Sequence, residues 1–309
     1  MLAELDLSNN SYITTLDCSL NDIQSLDLSS CPELEHLTCN ASRIEQLDLS
    51  NNPRLKELSC SDLQSLDLNG CRELESLECA DISIPSLDLS GFLKLETLVC
   101  SSYRSDMTEL DVTGCVNLEI LNCSGCGLTS LKFEGCRILT ELNCGSNNLT
   151  SLDVSENFAL TVLKCSENQI TNLDVSSNFA LEVLDCTDNP LSTIDVSENK
   201  ILSRLNCADI GATQLDLSNN LLLTSLFCIG NQISSLNLSA NELLEVLYCR
   251  SNSLDSLDIS KNTKIEYLHI QQMPSLHKVC VWTMPFPPTG TQVQMEGSPN
   301  VCFTLDCNP

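Results

Sequence analysis

Aromatic side chains make up only 4% of this 309-residue chain, which excludes a core built on large rings. Histidine is limited to His36, His269 and His277, too few to supply a set of histidine-rich zinc sites. Basic residues are also scarce, 15 against 42 acidic ones, for a net charge of −27. Phosphate-bearing partners, nucleic acid and anionic membrane alike, are repelled by such a surface. No apolar run reaches the roughly 20 residues of a transmembrane helix, so membrane insertion is not expected. No hydrophobic signal segment precedes Leu5. The chain also lacks a phosphate loop, a metal-binding helix motif and any recurring set of nucleophile, base and orienting group. It is read as non-enzymatic, with no cofactor.

What is present is a period. Cys18, Cys39, Cys60, Cys79, Cys100, Cys123, Cys144, Cys165, Cys186, Cys207, Cys228 and Cys249 are nearly all 21 residues apart, each closing a Leu-x-Cys string. The segment 139–160, LTELNCGSNNLTSLDVSENFAL, shows two half-repeats, one through Leu142-Asn143-Cys144 and one through Leu152-Asp153-Val154. Half-repeat starts such as Leu142, Leu152, Leu163 and Leu173 alternate at steps of 10 and 11.

In Leu-x-Cys the first and third side chains point inward and the middle one outward, the period of an extended strand. Asparagines three residues later, such as Asn147, Asn168 and Asn189, turn the chain and satisfy backbone groups at the bend. A unit that cannot bury its apolar face alone stacks on copies of itself. The chain is therefore expected to be an α/β-class leucine-rich-repeat solenoid, mostly β and coil with little or no helix. It should carry a parallel β-sheet on a concave face and extended segments on the convex one. About 13 double repeats fill residues 1–278, and residues 279–309, where the periodicity is expected to stop, form a capping segment. Met1 already lies within a half-repeat, so an N-terminal cap is expected to be missing. Two steps break the spacing, Leu58 to Leu66 at 8 residues and Leu98 to Leu110 at 12, the second with a loop over Ser101 to Asp106. They read as tolerated irregularities or as functional loops.

Stacked cysteines have parallel Cβ vectors at strand spacing, wider than the about 3.8 Å that a disulfide prefers. They present one sulfur per coil in a row, not a tetrahedron. Free, buried thiols are expected, and no metal site. Cys31, Cys71, Cys115 and Cys136 replace turn asparagines found in other repeats, and Cys126 does so in the other half-repeat. Only Cys280, Cys302 and Cys307 fall outside the scheme.

The outward position of the Leu-x-Val half is an aspartate row, Asp6, Asp27, Asp48 and onward to Asp258. It is read as bonding nearby serines and threonines. The outward row of the cysteine half varies and ends in Phe227, Tyr248 and His269, with Arg250 and Tyr267 beside them. Exposed aromatics with an arginine suit a protein hot spot or a sugar-stacking platform. The alternative is that the rings cover the approach to the terminal segment.

Nested 10- and 11-residue half-repeats with a cysteine ladder resemble the bacterial internalin J type of leucine-rich repeat, through the strings LxCSxNxL and LDVSxN over roughly Leu2 to Ile270. The resemblance implies an extracellular or cell-surface module that adheres to a host or matrix protein or glycan, and a monomer is expected. The alternatives are a structural envelope scaffold or the repeat region of a secreted effector. An exported protein meets an oxidising compartment. There a Cys280–Cys307 bridge would tie down the terminal segment, an effect on the order of 3 kcal/mol. Cys302 points away because Val301, Phe303 and Leu305 are the apolar set of its strand. Three unpaired thiols remain the alternative.

Overall fold

The computed structural model describes residues 1–102 and 106–307. The chain forms two compact units, Met1–Leu149 and Thr150–Pro309, and among the described residues there is no helix. Each Leu-x-Cys string overlaps a short parallel strand, because alternation places its leucine and cysteine on the inner face. The first unit's front sheet runs Thr15–Asp17, His36–Cys39, Glu57–Ser61, Ser76–Ala80, Thr97–Val99, Ile120–Asn122 and Glu141–Asn143 in spatial order. The second unit's runs Val162–Lys164, Val183–Asp185, Arg204–Asn206, Ser225–Phe227, Val246–Tyr248, Tyr267–His269 and Gln292–Gln294. Register is leucine on leucine, as in Leu37, Leu58 and Leu77 or Leu205, Leu226 and Leu247. The chain is a parallel β-solenoid of leucine-rich repeats, as its spacing predicts.

The Leu-x-Val halves form a back row that pairs as strands only in places. Gln46–Asp48 pairs with Ser65–Asp67, and Ser86–Asp88, Glu109–Asp111 and Ser130–Lys132 make a second group. In the second unit Ser256–Asp258, Lys278–Cys280 and Cys302–Thr304 make a third.

Asparagine at the turns ties each coil to the one before. In the front half, Asn147 Nδ2 donates to the carbonyls of Cys123 and Cys144 at 2.9 Å, and its Oδ1 accepts from Leu128 N–H. In the back half, Asn199 Nδ2 donates to Val175 and Asn178, and Asn178, Asn220, Asn241 and Asn262 repeat the arrangement. Their Oδ1 atoms are buried without a partner. Where cysteine replaces this asparagine, the thiol reaches the equivalent carbonyl: Cys71 Sγ to Leu49 O, Cys115 to Leu89 O and Cys136 to Val112 O. Cys126, the replacement in the front half, likewise points at Cys100 O, 2.8 Å away.

All twelve ladder cysteines are buried and free. Desolvation pushes the thiols of Cys39, Cys144 and Cys249 up to about 12. Two residues beyond the ladder cysteine the backbone turns left-handed in most coils, at residues as varied as Leu20, Ala41, Asp62, Glu167 and Ser251.

The terminal segment differs from the expected loss of periodicity near Val279. Val279 lies in register with Leu257, Phe303 with Val279, and Val293 with Leu268. The coil is lengthened, not abandoned, because Trp282 to Pro288 is accommodated as a bulge. Within it Trp282 packs on Phe286 at 5.3 Å, and Phe286 on Phe303 at 4.8 Å. The 12-residue step is also absorbed, since Leu98 pairs with Leu121 and Leu110 with both Leu87 and Leu131. Of its loop, residues 103–105 lie outside the described residues.

Candidate interaction surface

The front sheet of the second unit assembles the aromatic row by register alone. Phe227, Tyr248 and His269 hold the third position of successive strands and face each other directly. Phe227 meets Tyr248 edge to face, centroids 5.0 Å apart at 82°, and Tyr248 stacks on His269 at 3.7 Å and 7°. All three are half-buried, and Tyr267, two residues before His269 on the same side of its strand, is 37% exposed. Gln292 and Gln294 continue the two positions on the next strand.

Arg204, which the sequence did not single out, lies over the Phe227 ring at 4.9 Å. It occupies the first position of its strand, where its neighbour is Ser225, so nothing in the row marks it. Arg250 follows Tyr248 by two residues. Its charge acts on His269, whose pKa falls below 6.5 first through burial and then through Arg250. Among the described residues neither arginine has a carboxylate partner. Arg43, Arg54, Lys56, Lys94, Lys132 and Lys200 do, whereas Lys164, Lys261 and Lys264 share the condition of the two arginines.

The ring faces are largely used up. Tyr248 gives one face to His269, and Phe227 is covered by Arg204. Flat saccharide stacking needs an open face; this row offers edges, a phenol hydroxyl, ring nitrogens and guanidinium donors.

The aspartate row has a local role. Its members accept the backbone N–H two residues on, as Asp153 does from Ser155 and Asp174 from Ser176, both at 2.9 Å. The same serines hold Asp153 and Asp174 below the usual carboxylate range through hydroxyl and backbone bonds. Six to eight oxygens wrapped around an ion, as calcium wants, are not what a row of this kind supplies.

Cys280 and Cys307 are joined as a disulfide with Cα atoms 5.3 Å apart, and Cys302 is free and exposed. Asp258, opposite Cys280 in the back row, brings a carboxylate within 4.8 Å of both sulfurs. Sulfurs bonded to each other offer no thiolate to a metal.

The functional domain of InlJ from Listeria monocytogenes, which includes a cysteine ladder, is similar to this chain with a TM-score of 0.85 and 32% identity, over 94% of this chain and 65% of that one. The chain is a leucine-rich-repeat solenoid similar to that internalin J domain. The chain spans 65% of the length of the InlJ structure it matches. An internalin, InlF, from the same species has a TM-score of 0.68 at 18% identity, covering 96% and 88% of the two chains. The Toll–Spätzle complex of Drosophila gives 0.68 at 14%, covering 94% and 47%. Both show the fold alone. No family model and no curated protein matches the sequence.

Proposed function

We propose that this chain is a non-enzymatic protein-binding module, exported to the bacterial surface or medium, that docks a host or matrix protein on the front face of its second unit. The observation that carries the reading is the in-register row Phe227, Tyr248 and His269, flanked by Tyr267 and by Arg204 and Arg250. Two arginines without carboxylate partners in a chain of net charge −27 favour a ligand that brings its own acidic side chains. The occupied ring faces favour a protein over a glycan. Arginine and tyrosine are the side chains most often found at the energetic centre of such contacts. Solved complexes of the same fold, such as Toll with Spätzle, support a binding role of this general kind. The Cys280–Cys307 link suits an oxidising compartment, and residues 279–309 act as the closing cap of a monomer.

The test is a host and matrix protein array, with glycans spotted beside the proteins, followed by a Phe227→Ser, Tyr248→Ser, Tyr267→Ser variant. The wild type should select a protein ligand, and the folded variant should lose affinity by roughly a hundredfold, as expected when hot-spot aromatics are removed. A variant with intact circular dichroism and full affinity would sink the assignment, and selection of neutral glycans alone would reverse the ligand class.

A further inference from the structure

In the back row of the first unit two paired groups of strands stand side by side without pairing to each other. Ser65–Asp67 pairs with Gln46–Asp48 behind it, and Ser86–Asp88 pairs with Glu109–Asp111 ahead of it. Between Ser65–Asp67 and Ser86–Asp88 themselves the Cα atoms stay more than 8 Å apart. Adjacent strands sit about 4.8 Å apart, so the space of one omitted strand is about 9.6 Å. On the front the same two coils are closed, with Glu57–Ser61 and Ser76–Ala80 paired in register along five residues.

The cause is local. The step from Leu58 to Leu66 is short, and the turn that follows is pressed onto the coil before, where a Cβ on Gly70 would lie 2.6 Å from the Ser50 carbonyl oxygen. On the far side, Pro85 stands where Gln64 stands one coil earlier. Gln64 N–H donates to Glu45 O at 2.8 Å, and proline has no N–H to give. The bonds that close the preceding pair are Ser65 N–H to Glu45 O and Leu49 N–H to Asp67 O. Their counterparts, from Ser86 to Gln64 and from Leu68 to Asp88, are not formed. By the alternation of a parallel ladder, Leu66 and Leu68 present backbone groups to the opening from one side, and Ser86 and Asp88 from the other.

The resulting cleft measures about 450 Å³. Its inner wall is apolar, with Leu66, Ile84 and Leu87. Leu66 is only half-buried, although its register partner Leu47 is 1% exposed. Its outer rim carries Asp67 and Asp88, with Arg72 over the Phe92 ring, 4.7 Å from its centroid, at one end. Each uses Oδ1 to hold the N–H two residues on, in Asn69 and Ser90, which leaves each a second oxygen.

We propose that this cleft is a docking slot for one extended segment of a partner protein, which completes the back row as an inserted strand. Pairing on both edges supplies affinity in the manner of strand addition. The pleat then sets the occupant's pattern: an apolar residue between Leu66 and Leu87, followed by a lysine or arginine between Asp67 and Asp88.

The full chain should be titrated with a fluorescein-labelled heptapeptide of alternating valine and lysine, read by anisotropy and by hydrogen exchange. Saturable binding is expected, with exchange of the Leu66, Leu68 and Ser86 amides slowed about tenfold at saturation. An Asp67→Asn, Asp88→Asn variant, its fold checked by circular dichroism, should bind about fivefold more weakly, the size of one to two exposed ion pairs. The same peptide N-methylated at alternate amides should bind at least about tenfold more weakly, since it lacks the ladder donors. No saturation by about 1 mM, equal binding of the N-methylated peptide, or unchanged exchange at the three amides would each overturn the slot. Equal binding of a valine–glutamate peptide would overturn its preference for a basic occupant.

Discussion

At the level of single residues, chemistry follows burial. Seventeen cysteines are free and buried, and only Cys302 among the free ones is exposed. Thiolate is the reactive form, and burial disfavours it, as for Cys39 and Cys249 at about 12. In the native protein near neutral pH, a disulfide dye should therefore label one thiol quickly, Cys302, and the ladder only after denaturation. Rapid labelling of several thiols without denaturant would contradict the buried ladder. His269 offers a second reading at this scale. Its pKa is lowered by burial and by Arg250, so the folded state favours the neutral imidazole. Its contribution to stability is complete above the unfolded value, about 6.5, and is lost as pH falls from there through the folded value. The His269 ring proton should titrate by NMR below 6.5, and Arg250→Ala should move the midpoint upward while leaving part of the shift, the part due to burial.

At the level of the coil, the turn asparagines are the costly positions. Asn199 supplies donors to two buried carbonyls, Val175 and Asn178, each of which keeps one backbone donor, so the loss is that of two hydrogen bonds, about 0.5–1.5 kcal/mol each. Asn199→Ala should therefore lower stability by roughly 1–3 kcal/mol in urea melts. Asn199→Cys should cost clearly less, because a thiol reaches the equivalent carbonyls at Cys71, Cys115 and Cys136. It also carries nothing like the partnerless Oδ1 of Asn199. Equal losses for the two variants would mean that the thiol contacts contribute nothing. The exchange of asparagine for cysteine was legible in the sequence because the period aligned the two types. Other features were not. The left-handed turn is filled by Leu20, Ala41 and Glu167, residues that ordinarily avoid that conformation, so no composition signal marks it. Gln292–Gln294 is a strand with one apolar residue, too little alternation to stand out. Arg204 is one surface cation among several along the chain, and only packing sets the Phe227 ring beneath it. Leu66 advertised a short step, but which neighbour the short coil would lean on depended on Gly70 and Pro85 acting together.

For the whole molecule the governing influence is charge. A net −27 is spread over rows of carboxylates in both units, and self-repulsion weakens a compact state. Simple salt screens such interactions over about 10 Å at 0.1 M and 3 Å at 1 M. The melting temperature should accordingly rise by several degrees between low salt and about 1 M sodium chloride, measured by differential scanning fluorimetry. A fall would show that the exposed ion pairs, such as Lys56–Glu35, outweigh the repulsion. The repeat architecture was fully readable from leucine and cysteine spacing, because stacking fixes every coil by its neighbours. The candidate binding face was readable only as a set of outward residues; the closed ring faces and the second arginine arise from packing between strands, which spacing does not encode.

Because the back-half turn asparagines bond to carbonyls 21 and 24 residues earlier, as Asn220 does to Asn199 and Val196, a coil takes what it needs from the coil before and offers the same to the next. A gene for such a chain can gain or lose one 21-codon cassette, and the flanking coils meet an equivalent neighbour with no repair elsewhere. Selection can then lengthen the molecule or move its aromatic face along the row by recombination between repeats, a route closed to a protein whose core is shared by all its parts.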